Sequence, residues 1–140
     1  MKFWDSSAVI PLIVSDAGTP RLEKLLAADA AMWVWWASRV ECVSALARLE
    51  RERSLPSAHM ILALRKLDRL SASWREILPE PSLRRRAERL LRLHALRAAD
   101  ALQLAAALAA CRDDPAQLAF VCADRRLSEA ASREGFQVLP

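Results

Sequence analysis

Short apolar runs alternate along the chain with longer stretches in which apolar residues recur every three or four positions. The short runs are rich in β-branched and aromatic residues and lie between polar turn residues, which is typical of buried strands. The longer stretches have the periodicity of amphipathic helices. The runs that predict strands are residues 1–4, 32–36, 73–78, 118–122 and 136–139.

These elements follow one another as strand, then helix, along the whole chain. This alternation predicts a parallel sheet with helices on both faces, because a helical crossover brings the next strand back in the same direction. We therefore expect the α/β class, as a three-layer α/β/α sandwich around a central, mainly parallel sheet of four to five strands. Residues 1–140 fit one domain of this kind.

Hydroxyl-bearing residues stand where the predicted helices begin. A serine of the Ser6–Ser7 pair is expected to cap the first helix, Thr19 the second, and Ser82 a helix that runs to residue 96. Ser38 and Glu41 fit a capping box, in which the serine hydroxyl bonds forward and the glutamate reaches back. That pattern by itself gives Glu41 a purely structural explanation.

The most apolar helix of the chain is predicted to begin near residue 96 and to continue through a run of alanine and leucine to residue 110. Such a helix suits burial against a sheet, and it carries one carboxylate, Asp100, in its first turn. A carboxylate there is stabilised by the free N–H groups and the dipole of the helix start, so a simple cap is one interpretation. The other is a functional acid at the floor of a cleft.

Composition agrees with a folded protein and removes several classes of site. The chain is 54% hydrophobic and 27% charged, which predicts a folded core rather than disorder. Gly18 and Gly135 are the only glycines, so a glycine-rich loop for nucleotide phosphates is excluded. The three cysteines include no C-x-x-C pair, which argues against a disulfide framework and a zinc site. We expect a reduced, cytoplasmic setting with no membrane contact, since the apolar run 8–14 is short and contains Pro11.

Two surface features have alternative interpretations. The net charge is +4, and the densest basic run is five arginines within nine residues, which predict a solvated helix face or a contact with phosphates. Three tryptophans in residues 32–36 favour core packing over a base-stacking platform, because burial is the default for tryptophan. The five arginines of the basic run are Arg84, Arg85, Arg86, Arg89 and Arg92.

His59 and His94 lack neighbouring ligand residues and are expected at the surface.

Four acidic residues come together through the predicted topology. Asp5, Glu41 and Asp124 each follow a strand, and parallel strands end at the same edge of a sheet, while Asp100 opens the buried helix. Carboxylates gathered there repel one another unless a cation neutralises them. Oxygen ligands without cysteine or histidine select Mg²⁺ or Mn²⁺, which can hold a phosphodiester and activate a water for its hydrolysis.

The residues around these acids resemble the PIN-domain ribonucleases, specifically the VapC-type toxins of type II toxin–antitoxin systems. The resemblance extends over essentially the whole chain, in order. It is carried by Asp5-Ser6-Ser7, by Glu41 with Ser44-Ala45-Leu46 and Arg48, by Leu96-Arg97-Ala98 with Asp100-Ala101-Leu102, and by Ala123-Asp124 with Leu127.

The resemblance implies a PIN-like fold, a homodimer, Mg²⁺-dependent cleavage of RNA with Mn²⁺ as a substitute, and inhibition by a small antitoxin protein. It implies contact with operator DNA only through the antitoxin. It makes Asp5, Asp100, Glu41 and Asp124 the metal-binding and catalytic acids, the first two binding most directly, with Ser6 as a helper near the metal or phosphate.

One position departs from the family pattern, because Cys122 stands where a threonine or serine usually precedes the last acid by two residues. A thiol is the weaker hydrogen-bonding partner, so Cys122 is expected to order Asp124 less firmly than a hydroxyl would. Two alternatives remain at this point. One is a catalytically silent binding module that acts within an antitoxin–DNA complex. The other, a metal-dependent phosphatase, is disfavoured because Ser7 stands where a second aspartate is expected.

Overall fold

A computed structural model describes all 140 residues and contains one five-stranded, fully parallel sheet. The strands lie in the order β3-β2-β1-β4-β5, which confirms the predicted α/β class. Each strand is shorter than its apolar run, because only the paired residues belong to the sheet. The strands are β1 (Lys2–Trp4), β2 (Met32–Trp35), β3 (Arg75–Ile77), β4 (Ala119–Val121) and β5 (Val138–Leu139).

Seven α-helices and one short 3₁₀ helix connect the strands. No helix combines the length and the apolar character that crossing a membrane requires. The helices are α1 (Ser6–Ile13), α2 (Thr19–Ala28), α3 (Ser38–Arg51), α4 (Ser57–Ser71), α5 (Pro81–Leu93), α6 (Ala98–Ala110) and α7 (Arg125–Arg133), with the 3₁₀ helix at Pro115–Gln117.

Helices cover both faces of the sheet, and each face has its own hydrophobic core. Successive side chains of a strand point to opposite faces, so Phe3 and Trp4 of β1 enter different cores. Phe3 stacks on Phe120 in the core formed with α5, α6 and α7. Trp4 packs in the core formed with α1, α3 and α4, where Leu46 is fully buried. The predicted three-layer sandwich is therefore confirmed.

The strand order places the candidate acids at a topological switch point. The chain proceeds from β1 through β2 to β3 on one side, and then crosses to β4 and β5 on the other side of β1. In parallel sheets, the crevice used for binding lies beyond the carboxyl ends of the strands at such a reversal. Asp5 follows β1 there, and its N–H donates to Val121 O of β4 at 3.0 Å.

The predicted helix caps are wrong in detail. Asp5, not a serine, caps α1, and its carboxylate accepts a hydrogen bond from Ser7 N at 2.9 Å. Thr19 is already the first residue of α2, and its hydroxyl instead donates to Pro11 O at 2.7 Å. Helix α5 begins at Pro81 and ends at Leu93, because His94 adopts an extended backbone that stops the helix before residue 96.

The two histidines lie in different environments. His59 is exposed, as predicted. His94 is not at the surface, since its side chain is 8% exposed and its Nε2 lies 2.7 Å from Glu134 Oε1. This contact joins the end of α5 to the end of α7. The partner lies 40 residues away along the chain, so the neighbours of His94 in sequence could not indicate it.

Candidate active site

Asp5 is the most deeply buried acid at the switch point, with 4% of its surface exposed. Burial raises the pKa of its carboxyl from 3.8 to about 6, against the hydrogen bonds that Ser7 donates to it. The negative charges of Glu41 and Asp100 raise this pKa further. These three acids therefore act on one another electrostatically, as sequence topology predicted for Asp5 and Glu41.

Glu41 lies one turn into α3 and faces the site rather than the start of its own helix. Its Oε2 accepts a hydrogen bond from Ser6 Oγ at 2.7 Å and another from Gln103 Nε2 at 2.9 Å. The predicted capping box is wrong, because Ser38 is already helical and its hydroxyl accepts from Gln103 Nε2 at 3.0 Å. Both members of the expected box are thus used to join α3 to α6.

Asp100 occupies the third position of α6 and remains partly exposed. Its Oδ2 accepts a hydrogen bond from Arg97 N at 3.2 Å, so the carboxylate does reach back to the helix start. Gln103 follows three residues later on the same face of α6, which brings the acid and the amide to the site together. The capping and the functional interpretations of Asp100 are therefore compatible.

Asp124 joins the site through its backbone rather than its carboxylate. Its side chain is exposed and caps α7, where Oδ1 accepts a hydrogen bond from Leu127 N at 2.8 Å. Its N–H and that of Ala123 donate to Ser7 Oγ at 3.2 and 3.0 Å. Ser7 Oγ in turn donates to Asp5 Oδ2, so one hydroxyl connects the end of β1 with the loop after β4.

Cys122 lies beneath this connection and is a protonated thiol at neutral pH, because burial raises its pKa to about 12. Its Sγ is 3.4 Å from Asp124 O, 3.6 Å from Ser7 Oγ and 3.7 Å from Asp5 Oδ2. The thiol therefore stands where the family pattern has a hydroxyl, and it contacts Ser7, Asp5 and Asp124 from that position. None of the three cysteines forms a disulfide.

The four predicted acids have no basic partner, since the ion pairs of the structure all involve other carboxylates. No three acidic, histidine or cysteine side chains converge closely enough to hold a metal ion by themselves. The structure groups Asp5, Glu41 and Asp100 at one edge and turns the carboxylate of Asp124 toward α7. The binding of a cation by these four acids, and the helper role of Ser6, stay predictions.

Comparison with known proteins identifies the family. Ribonuclease VapC45 from Mycobacterium tuberculosis (strain CDC 1551 / Oshkosh) is 33% identical over 144 residues, which cover 100% of this chain and 95% of the relative. Ribonuclease VapC49 from strain ATCC 25618 / H37Rv of the same species has the same identity and coverage. The chain belongs to the VapC family. No protein-family model matches it.

Solved structures share the fold of this VapC-family chain. PAE2754 from Pyrobaculum aerophilum superposes with a TM-score of 0.66 at 19% identity, covering 92% of this chain and 83% of that one. A toxin–antitoxin complex from Klebsiella pneumoniae superposes with a TM-score of 0.66 at 15% identity, covering 100% and 97%. These superpositions confirm the fold, and the two relatives from Mycobacterium tuberculosis confirm the resemblance stated from the sequence.

Three residues at the candidate site were not assigned to it from the sequence, since Ser7 and Ser38 were expected as helix caps and Gln103 was not considered. Gln103 is the strongest omission, because it is a polar residue 1% exposed within an otherwise apolar helix. A buried polar side chain needs a hydrogen-bonding partner. Its position one turn after Asp100 was therefore a usable indication that the same face of α6 meets other polar groups.

Proposed function

We propose that this protein is a metal-dependent endoribonuclease toxin, a hydrolase of RNA phosphodiester bonds that is neutralised by a small antitoxin protein. The observation that carries the proposal is the group Asp5, Glu41 and Asp100 at the switch point, hydrogen-bonded to neutral donors and without a basic partner. Membership of a family whose curated relatives are named ribonucleases supports the same reaction.

The donor set fits a hard divalent cation, Mg²⁺ or in its place Mn²⁺. Mg²⁺ prefers oxygen ligands and is commonly bound by one or two carboxylates, while waters and substrate phosphates complete its shell. In our proposal Asp5 and Asp100 bind the cation directly, and Glu41 and Asp124 complete its surroundings. When bound, such a cation lowers the pKa of a water and stabilises the departing oxygen.

The surrounding side chains orient these acids. Ser6 and Gln103 both donate to Oε2 of Glu41, so its Oε1 receives no protein donor and is the atom that we assign to orient the attacking water. Ser7 holds Asp5 through its N–H and its hydroxyl. A fixed carboxylate costs little reorganisation when charge develops during hydrolysis.

Substitution of the two central acids tests the reaction. Asp5→Asn and Asp100→Asn should each abolish RNA cleavage that EDTA also abolishes, with unchanged far-UV circular dichroism. Asp114→Asn is the matched control, because Asp114 is exposed, makes no side-chain cap and precedes β4 at the opposite edge of the sheet. Full cleavage by either site variant would refute the proposal.

For the antitoxin, we assign a groove between the end of α1 and α4, with a cavity volume of about 470 Å³. Its floor is apolar and its rim carries basic groups without any acidic residue, which suits an amphipathic segment with acidic side chains. The similarity to a protein solved in a toxin–antitoxin complex supports such a partner. Its apolar residues include Ile13, Val14, Leu55 and Leu62, and its basic residues are His59, Arg65, Lys66 and Arg69.

Co-expression with a small antitoxin-like protein from a neighbouring reading frame tests the groove. Leu62→Asp should abolish co-purification of that protein and leave RNA cleavage intact, because Leu62 is 53% exposed and lies on the groove. Leu93→Asp is the control, at an exposed leucine of α5 outside the groove. Unchanged co-purification with Leu62→Asp would refute this placement.

The same proposal includes a homodimer, which sedimentation tests. It also includes contact with operator DNA only through the antitoxin, which a gel shift with and without the antitoxin tests.

A further inference from the structure

Trp36 is the first residue after β2 and stands at the same edge of the sheet as the acids. Its N–H donates to Ile77 O at 3.1 Å, which extends the pairing of β2 with β3 and fixes its backbone. Its side chain is 50% exposed, whereas Trp35 beside it is 4% exposed. The core position predicted for all three tryptophans is therefore wrong for Trp36, because the strand ends one residue before it.

The ring of Trp36 contacts a buried neighbour. It meets the ring of Trp35 in an edge-on arrangement, with centroids 6.4 Å apart and an interplanar angle of 71°. The exposed half of the Trp36 side chain leaves a flat apolar surface at this edge of the sheet. A planar partner can stack on such a surface.

A small cavity of about 260 Å³ adjoins Trp35. Its lining includes Trp35, Leu102 of α6 and Arg84 of α5. Arg84 is exposed and forms no ion pair, while Glu80 at the same cavity accepts a hydrogen bond from Ser82 Oγ at 3.4 Å. The cavity thus combines an aromatic wall with an uncommitted guanidinium group.

We propose that Trp36, with the cavity beside Trp35, is a subsite that stacks one unpaired base of the RNA next to the cleaved phosphodiester. This inference rests on the proposed ribonuclease function. Single-stranded RNA is recognised largely through splayed bases that stack on aromatic side chains and arginine planes. Arg84 supplies the positive charge for the neighbouring phosphate or for stacking on the base.

The subsite is linked to the acids through a short path. Ser38 lies two residues after Trp36, and its hydroxyl accepts from Gln103, which also donates to Glu41. Trp36 therefore belongs to the short turn that leads directly into the start of α3, where Ser38 bonds Gln103. This proximity predicts that the subsite contributes to RNA binding and to the choice of the cleaved sequence.

Binding of a fluorescein-labelled single-stranded oligoribonucleotide in EDTA, where cleavage is blocked, tests the subsite. Trp36→Ala should weaken binding roughly 5- to 100-fold, and Trp36→Phe should stay within about threefold of the wild type, because any aromatic ring can stack on a base. Ile61→Ala is the matched control at a residue of α4 that is 54% exposed. Its affinity should not change.

An oligoribonucleotide that lacks one base at the cleavage position provides the decisive comparison. Removal of the base should weaken binding to the wild type by the same factor by which Trp36→Ala weakens binding to the intact RNA. Binding to the Trp36→Ala variant should not weaken further when the base is removed. Trp36→Ala should leave the salt dependence of binding unchanged, whereas Arg84→Ala should reduce the slope of log affinity against log salt by about one.

Three results would overturn the subsite. The first is wild-type affinity of Trp36→Ala for intact RNA, and the second is equal additional loss of affinity by wild type and variant when the base is removed. The third is a change from dimer to monomer on Trp36→Ala with no base dependence, which would make the exposed side chains Trp36, Val40 and Leu78 an interface between two copies of the chain. Base-dependent binding without cleavage under any divalent cation would refute the proposed function alone. Any of the three results, together with RNA cleavage by the wild type, would refute the subsite alone.

Discussion

Gln103 Nε2 lies 2.9 Å from Glu41 Oε2, so a buried amide of α6 holds a carboxylate of α3 at the site. The same nitrogen donates to Ser38 Oγ at 3.0 Å, while Gln103 Oε1 is buried without a partner. The two residues are 62 positions apart in the chain. The position of Glu41 therefore depends on the packing of α6 against the sheet.

Gln103→Leu should lower the free energy of unfolding by about 1.5–3 kcal/mol, the range for a hydrogen bond to a charged group. It should also lower RNA cleavage by up to roughly 100-fold, because Glu41 retains only Ser6 as a donor and shifts from its working position. Urea unfolding and single-turnover cleavage measure the two effects. Gln117→Leu, at an exposed position, is the control, and equal behaviour of the two variants would contradict the role of Gln103.

Asp5→Asn should stabilise the metal-free protein at pH 8 and leave its stability nearly unchanged at pH 4. Burial raises the pKa of Asp5 from 3.8 to about 6, so the folded protein favours the protonated carboxyl. The contribution of that proton to stability is complete below pH 3.8 and is lost as the pH rises through about 6. This pKa shift corresponds to a change of roughly 3 kcal/mol in the free energy of unfolding between pH 4 and pH 8.

Thermal unfolding of wild type and Asp5→Asn in EDTA from pH 4 to pH 8 measures this effect. The asparagine keeps an oxygen that accepts from Ser7, so the comparison isolates the charge. Asp114→Asn should show no such pH dependence, since Asp114 is exposed. A constant difference between Asp5→Asn and wild type over the whole range would contradict the explanation by burial.

Ser7→Ala should destabilise the protein by about 1–3 kcal/mol, because it removes a hydroxyl that bonds Asp5 and two N–H groups of the loop after β4. We also expect weaker RNA cleavage, since both Asp5 and the segment with Asp124 lose their connection. Ser132→Ala is the control, at an exposed serine of α7 whose hydroxyl makes no hydrogen bond. Chemical denaturation and cleavage assays measure both, and identical results for the two variants would refute the role of Ser7.

The contact between His94 and Glu134 should contribute to stability. A double-mutant cycle with His94→Gln and Glu134→Gln should give a coupling energy of about 1.5–3 kcal/mol, because both side chains are largely buried. The control cycle uses Arg125 and Glu129, an exposed pair on one helix, for which about 0.3–0.5 kcal/mol is expected. Equal coupling in the two cycles would show that burial does not strengthen the His94 contact.

The fold class was predictable because it depends on local patterns. Short apolar runs and helical periodicity are written in adjacent residues, and their alternation is enough to predict a parallel sheet with helices on both faces. The same order placed Asp5 and Asp124 beyond the ends of strands that lie side by side. Helix α7 lies between Asp124, which caps it, and Gly135, so adjacent residues mark both of its ends.

The roles of individual polar groups were not predictable in the same way. Ser38 and Glu41 have the spacing of a capping box, yet both bond to Gln103, because a partner from another element competes successfully with the local one. His94 was expected at the surface but is largely buried, and Trp36 was expected in the core but is half exposed. Both predictions were wrong because burial is set by what packs against a residue and not by its neighbours in sequence.

The sequence by itself determined the α/β architecture, the family resemblance and the set of acids that the topology directs to one edge. Only the tertiary structure decided which donors hold those acids, that Ser7 and Gln103 connect the segments around them, and that Trp36 stays exposed beside them. The physical reason is that secondary structure follows from periodic local patterns. Hydrogen-bond partners, desolvation and exposure, by contrast, depend on groups that only folding brings into contact.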